Sequence, residues 1–161
     1  MKKTTNVAVI GCGYWGPNLI RNFRSLPDCN LVAICDAKQE RLSHMRNVYL
    51  GVKITSDYRE VIEDPDIHAI AVATPVTSHF DLASEALLAG KHTFIEKPMA
   101  PSSAECRELV ELGEHKNLTV MVGHTFIYST PVRKIKEIVD QGDDLLQFHN
   151  AGDLVDGDLL P

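Results

Sequence analysis

The sequence predicts an α/β fold, a doubly wound parallel sheet with helices on both faces, in a single domain over residues 1–142. Three observations carry that expectation. Short apolar, β-branched runs alternate with segments of helical periodicity along most of the chain. A glycine turn, Gly11-Cys12-Gly13-Tyr14-Trp15-Gly16, separates the first apolar run from the first helical segment. Five unusual segments each fall at the end of an apolar run, and right-handed crossovers would collect such ends along one edge of the sheet.

The elements follow in order. Val7-Ala8-Val9-Ile10 is a strand, Asn18 to Phe23 is helix-compatible, and Leu31-Val32-Ala33-Ile34-Cys35 is a second strand ending on Asp36. From Lys38 to Leu50, helical spacing relates Leu42, Met45 and Tyr49. Gly51 to Thr55 reads as a short strand. Asp57 and Glu60 stand at capping-box spacing and open a helix, which Asp64-Pro65-Asp66 breaks. Ile67 to Ala73 has the composition of a buried strand, stopped by Thr74-Pro75. A helix from Thr77 to Ala89 packs through Phe80, Leu82, Ala83, Ala86 and Leu87 and ends at Gly90. Thr93-Phe94-Ile95 is a strand closed by Glu96-Lys97-Pro98. Ser102 and Glu105 cap a helix through Leu109, Val110 and Leu112. Leu118 to Val122 is the sixth strand, closed by Gly123-His124. Pro131 suits the first turn of a last helix carrying Val132, Ile135, Ile138 and Val139 and ending at Gly142.

The glycine turn has the chemistry of a dinucleotide site. Gly11 permits a tight turn off the strand, and Gly13 leaves room for backbone N–H groups to approach a pyrophosphate. Gly16 lets the helix pack close to the strand, and the helix N-terminus offers unpaired donors and partial positive charge. Asp36, twenty residues past Gly16, is placed to accept hydrogen bonds from an adenosine ribose. The bland alternative is a glycine-rich turn without a ligand. Strand, glycines, helix, strand and acid in that order favour the dinucleotide.

Composition sets limits. The 161 residues are 44% hydrophobic and 24% charged, ordinary for a globular domain. No signal-type leader and no run near the ~20 apolar residues of a membrane span is present, so a cytoplasmic protein away from membranes is expected. Four cysteines, Cys12, Cys29, Cys35 and Cys106, form no CxxC pair or Cys/His metal spacing and read as structural thiols, with no metal site. Of the net charge of −6, five aspartates between Asp143 and Pro161 supply −5, with no Lys or Arg there. The rest of the chain has no basic excess, which argues against nucleic acid.

At a further set of residues the chain resembles a known family. V-A-V-I-G-C-G-Y-W-G-P-N, A-V-A-T-P-V-T-S-H, A-G-K-H-T-F-I-E-K-P and V-G-H-T-F-I-Y-S-T-P are similar to the N-terminal Rossmann domain of the glucose–fructose oxidoreductase/inositol dehydrogenase (Gfo/Idh/MocA) family. The match covers about residues 5–142, and the E-K-P signature is more diagnostic than the glycines. The G-Y-W-G-P-N and G-H-T-F-I-Y forms resemble bacterial members acting on sugars or nucleotide-linked sugars.

The resemblance implies a nicotinamide cofactor, NAD in preference to NADP because Asp36 would repel a 2′-phosphate; Lys38 and Arg41 lie close enough to soften that preference. It implies Lys97 beside the nicotinamide and the reacting carbinol, as the catalytic residue that polarises the hydroxyl or helps remove its proton. Burial and the positive oxidised ring would lower its pKa. The other reading of Lys97 is a solvated strand-end lysine. Glu96 would fix a cofactor ribose or amide, or only pair with a nearby cation, and Pro98 would hold the turn. Thr74, Pro75 and His79 resemble a segment lying against the cofactor, although His79 also reads as an exposed helix-start residue. His124 is a cofactor candidate or a local backbone partner. Tyr14 and Trp15 would shield the cofactor, with core packing equally open for Trp15.

Family members continue for another domain of roughly 150–200 residues, which completes the substrate pocket. Residues 143–161, an acidic, leucine-containing tail, do not resemble it. The leading expectation is therefore the cofactor half of an oxidoreductase, binding NAD without turnover alone. An NAD-binding sensor or interaction module, or one half of a split enzyme, are the alternatives. A homo-oligomer or a partner chain covering an exposed sheet face is expected.

Overall fold

The structure, a computed structural model, describes residues 4–141; the acidic tail lies outside them. The chain divides into two compact units, Met1–Gly123 and His124–Pro161.

The first unit carries the whole sheet. Its elements are β1 (Thr5–Ile10), α1 (Gly16–Ser25), β2 (Cys29–Cys35), α2 (Gln39–Val48), β3 (Lys53–Thr55), α3 (Arg59–Ile62), β4 (Ala69–Val72), α4 (His79–Leu88), β5 (His92–Ile95), α5 (Ser103–Lys116) and β6 (Val120–Val122). All paired strands run parallel in the order β3-β2-β1-β4-β5-β6. The order reverses between β1 and β4, and in such sheets a crevice opens there, outside the strands' carboxyl ends. The expected doubly wound α/β fold is the fold observed.

Alternation along the strands builds a core on each face. Ala8 and Ile10 of β1 join Ile70, Val72, Leu82, Ala86, Leu87, Ile95 and Leu109 in one cluster. Val9 turns the other way, to Ile20, Leu31, Ile34, Leu42, Met45 and Ala71. Burying each of the larger aliphatic side chains stabilises the fold by about 1.5–3 kcal/mol. Phe23 and Phe94 meet edge to face at 6.2 Å beside the second cluster.

Several boundaries differ from the sequence expectation. α3 has only four residues, and the Asp57 carboxylate accepts from the Arg59 N–H at 3.0 Å, two residues on. This is an Asx turn, and Glu60 pairs with Lys53 instead of completing a capping box. The cap at Ser102 does form: its hydroxyl accepts from the Glu105 N–H and donates to the Glu105 carboxylate at 2.7 Å. Lys91 is buried, its ammonium donating to the carbonyls of Asp64 and Ile67 at 2.6 and 2.8 Å. It ties the loop before β4 to the start of β5, a role its A-G-K-H setting did not disclose.

The second unit contains a 3₁₀ turn, Thr125–Tyr128, and α6 (Thr130–Asp140) with Pro131 in its first turn. Val132, Ile135 and Val139 of α6 are exposed, as are Phe126, Ile127 and Tyr128. No helix among the described residues is long and apolar enough to cross a membrane.

Candidate functional site

The first unit holds a cleft of about 710 Å³ at the carboxyl ends of its strands, within the range of small-molecule sites. The glycine turn after β1, Asp36 after β2, Thr74 and Pro75 after β4, and Glu96 and Lys97 after β5 all line it. Parallel strands deliver all four segments to one edge because every crossover returns the chain to the same starting side.

Steric constraints account for two of the three glycines. Gly11 has φ +106°, and a Cβ there would lie 2.6 Å from the Ala73 carbonyl carbon and oxygen. A Cβ on Gly16 would overlap the Gly11 carbonyl oxygen, so the first turn of α1 can approach β1 only without a side chain. Gly13 differs: its Cβ would meet nothing closer than Arg41 Nη1 at 3.6 Å, an ordinary contact. The protein's own packing leaves that space open, as a close ligand approach requires.

The turn also has spare donors. The Gly11 N–H donates to the Cys35 carbonyl at 2.7 Å and the Cys12 N–H to Asp36 Oδ2 at 2.6 Å. The N–H groups of residues 13 to 16 have no acceptor among the described residues. Four consecutive donors at a helix N-terminus suit a pyrophosphate. The chain therefore fits a dinucleotide on its own geometry: open space at Gly13, free donors and a cleft of the right scale.

Asp36 is 6% exposed. Oδ1 accepts from the Lys38 N–H at 2.8 Å, and Oδ2 also takes Arg41 Nη1 at 3.1 Å. Burial pushes its pKa up, but the Lys38 and Cys12 N–H groups and the Arg41 guanidinium more than offset this and hold it below the ordinary value. The carboxylate stays ionised at the cleft. Burial, with Asp36 close by, pushes the Cys12 thiol up to about 12, and burial does the same to Cys35. Neither supplies a thiolate near neutral pH.

At the other end, Glu96 is buried and its Oε2 accepts the Lys97 N–H at 3.2 Å. No cation pairs with Glu96 among the described residues. The Lys97–Pro98 bond is cis. The Lys97 side chain is exposed, with no hydrogen-bond or ion-pair partner among the described residues; the burial expected for its ammonium is not supplied by this unit. Tyr14 and Trp15 line the cleft 86% and 45% exposed, edge to face with centroids 5.4 Å apart. Core packing, the other reading of Trp15, does not describe that position.

Two expected residues are not among those lining the first unit's cleft. His79 is buried and does not line the cleft; its ring touches segments that do. His124 is an exposed residue of the second unit, before the 3₁₀ turn. Sequence reasoning missed a third wall: Ser78, Asp81, Leu82 and Glu85 line the cleft along α4, with Tyr58 donating to Glu85 Oε1 at 3.2 Å. Their i, i+3, i+4, i+7 spacing was the available signal. Among the described residues, no group of His, Cys, Asp and Glu is placed to hold a metal.

Fold and site together define a dinucleotide-binding domain with its crevice at the strand-order switch point. The chain belongs to the oxidoreductase family with an NAD-binding Rossmann fold, the Gfo/Idh/MocA family, whose model matches residues 5–124. It is 33% identical over 143 residues to the uncharacterized oxidoreductase YrbE of Bacillus subtilis, covering 89% of this chain and 42% of that protein. It is 31% identical over 137 residues to the myo-inositol 2-dehydrogenase of Thermotoga maritima, covering 84% of this chain and 41% of that protein. Among solved structures, the scyllo-inositol dehydrogenase of Lactobacillus casei, with bound NAD(H) and scyllo-inositol, superposes with a TM-score of 0.77 at 26% identity. That match covers 87% of this chain and 42% of the other. The chain thus spans about two fifths of the length of the relatives it matches.

Proposed function

We propose that the chain is the cofactor-binding half of an oxidoreductase that moves a hydride between NAD and a secondary hydroxyl of a sugar, cyclitol or nucleotide-linked sugar. The observation that carries this reading is the convergence on one cleft of the free N–H groups after β1, ionised Asp36 after β2 and Lys97 after β5. The inositol dehydrogenases among the relatives support the polyol substrate class.

The residues divide the work by position. The turn from Gly13 to Gly16 holds the pyrophosphate, and Asp36 takes the adenosine ribose hydroxyls. Its charge disfavours a 2′-phosphate, so NAD binds ahead of NADP. Tyr14 and Trp15 screen the cofactor from water. Glu96 fixes the nicotinamide-side ribose or amide. Lys97 either polarises the substrate oxygen as an ammonium donor or, as a neutral amine, accepts the hydroxyl proton while hydride leaves carbon for the nicotinamide. The bound nicotinamide supplies the hydride acceptor.

Calorimetric titration with NAD and NADP tests the cofactor part. NAD binding tighter than NADP is expected, and equal or tighter NADP binding overturns the preference. Screening sugars and cyclitols for NAD reduction tests the substrate class, using the chain together with whatever completes the relatives' length. Reduction with simple alcohols but no polyol would overturn it.

A further inference from the structure

His79 opens α4 and is only 1% exposed. Its two ring nitrogens face two main-chain oxygens: Nε2 lies 2.8 Å from the Thr74 carbonyl and Nδ1 2.9 Å from the Pro98 carbonyl. A carbonyl oxygen only accepts, so the ring nitrogen that carries the proton donates to its carbonyl, and the other nitrogen packs against the second. Thr74 follows β4, and Pro98 follows Lys97 at the end of β5. One buried imidazole therefore spans the ends of two adjacent strands.

Met99 and Ala100 pack into the first core cluster after the turn carrying Lys97, and few polar contacts fix the turn itself. The Glu96 N–H donates to the Val72 carbonyl at 2.9 Å, and the Lys97 N–H goes to the Glu96 carboxylate. Pro98 has no N–H to give, and the Lys97 side chain is unpartnered among the described residues. The place of the ammonium thus depends on its backbone, which β4 holds before Lys97 through the Glu96 N–H and which the His79 ring holds after it through the Pro98 carbonyl. Thr74 is anchored a second time, its hydroxyl oxygen accepting from Ser78 Oγ at 2.8 Å.

We propose that His79 is a positioning residue for Lys97: its ring fastens the Glu96–Pro98 turn to the end of β4 and so sets where the ammonium stands in the cleft. The inference rests on the cofactor reading above, with the nicotinamide at the Lys97 end. The ring itself does not line the cleft.

The test separates the two ends of the cleft. Trp15 is the chain's single tryptophan and lines the cleft, so its quenching reports binding of either NADH or ADP. ADP reaches the glycine turn and Asp36 but not the Lys97 segment. His79→Leu keeps a side chain of similar size and removes the ring's hydrogen bonding. It is expected to weaken NADH about tenfold, the effect of one lost oriented polar contact, and to leave ADP within about twofold. Lys97→Ala should show the same split, and the double variant should lose less than the two single losses combined, because both act through one turn. His79→Gln, which can still donate to one carbonyl, should recover part of the NADH affinity. Equal losses for NADH and ADP, unchanged NADH binding, or unfolding of both His79 variants would each assign the ring a role in the fold alone and overturn the proposal. A wild-type chain that binds neither ligand would overturn the cofactor reading itself, and this inference with it.

Discussion

Replacing Asp36 by alanine should destabilise the protein as well as change its cofactor choice. The carboxylate receives the buried Cys12 N–H at 2.6 Å, the Lys38 N–H at 2.8 Å and the Arg41 guanidinium at 3.1 Å. Alanine leaves the Cys12 donor without its acceptor beneath the glycine turn, at a cost of about 1–3 kcal/mol. The Lys38 N–H sits on an exposed residue and can turn to water. The Arg41 side chain is 40% exposed, so its pair adds at most about 1 kcal/mol. The total comes to about 1–4 kcal/mol, or a fall in melting temperature of roughly 2–16 °C for a chain of this length. Thermal denaturation followed by circular dichroism reads the first effect, and titration with NAD and NADP reads the second. The variant should lose affinity for NAD and narrow the gap to NADP, since both the ribose acceptor and the repelling charge are gone. Melting within about 1 °C of the wild type would show that the carboxylate does not organise the turn, and the hydrogen-bond reasoning would fail.

Other outcomes follow from the same geometry. Gly13→Ala should keep the wild-type melting temperature while weakening NADH, whereas Gly11→Ala should destabilise by about 2–4 kcal/mol from positive φ and overlap with Ala73; chemical denaturation with NADH titration distinguishes them, and equal stability of the two variants would refute the contrast. The Asp36 pKa is lowered in the folded state, so its stabilisation is present above the unfolded carboxylate value and is lost as pH falls through the folded value. Denaturation measured from neutral pH down through the carboxylate range should show this loss, and Asp36→Asn should flatten it. Lys97→Ala should melt with the wild type, because the side chain has no partner to lose, and should shift the emission of bound NADH; an unaltered spectrum would remove Lys97 from the nicotinamide. Exposed Phe126, Tyr128, Ile135 and Val139 should drive self-association visible by sedimentation velocity; a strictly monomeric chain would refute that.

Much of this protein is legible before any coordinates. Gly11, Gly16 and Asp36 are written in a local pattern because their constraints are local: a turn needing positive φ, a helix pressed on its own strand, an acid at the next strand's end. The parallel sheet with its strand ends along one edge follows too, since strands alternate with helices and crossovers are right-handed; the strand order itself came only from the structure. Short capping signals were less dependable. Ser102 caps α5 as its spacing indicates, whereas Asp57 bonds one residue earlier, because α3 lasts a single turn before Asp64-Pro65-Asp66 breaks it.

What the tertiary structure decided lies in contacts between segments. The same histidine letter describes His79 and His124. One is sealed between carbonyls five and nineteen residues away in sequence, and the other is exposed in a separate unit. No periodicity distinguishes them, because burial depends on which segments the crossovers bring alongside. The wall of Tyr58, Asp81 and Glu85 exists only once α4 is laid across the strand ends, and Gly13 differs from Gly11 only when the atoms around each can be measured. By itself the sequence determined the class of fold, the glycine turn and the acid at the end of the next strand, since those follow from chain geometry over a few residues. The cleft's full lining, the clamp on the Lys97 turn and the bonds holding Asp36 ionised were decided by packing, which joins residues that chain order keeps apart.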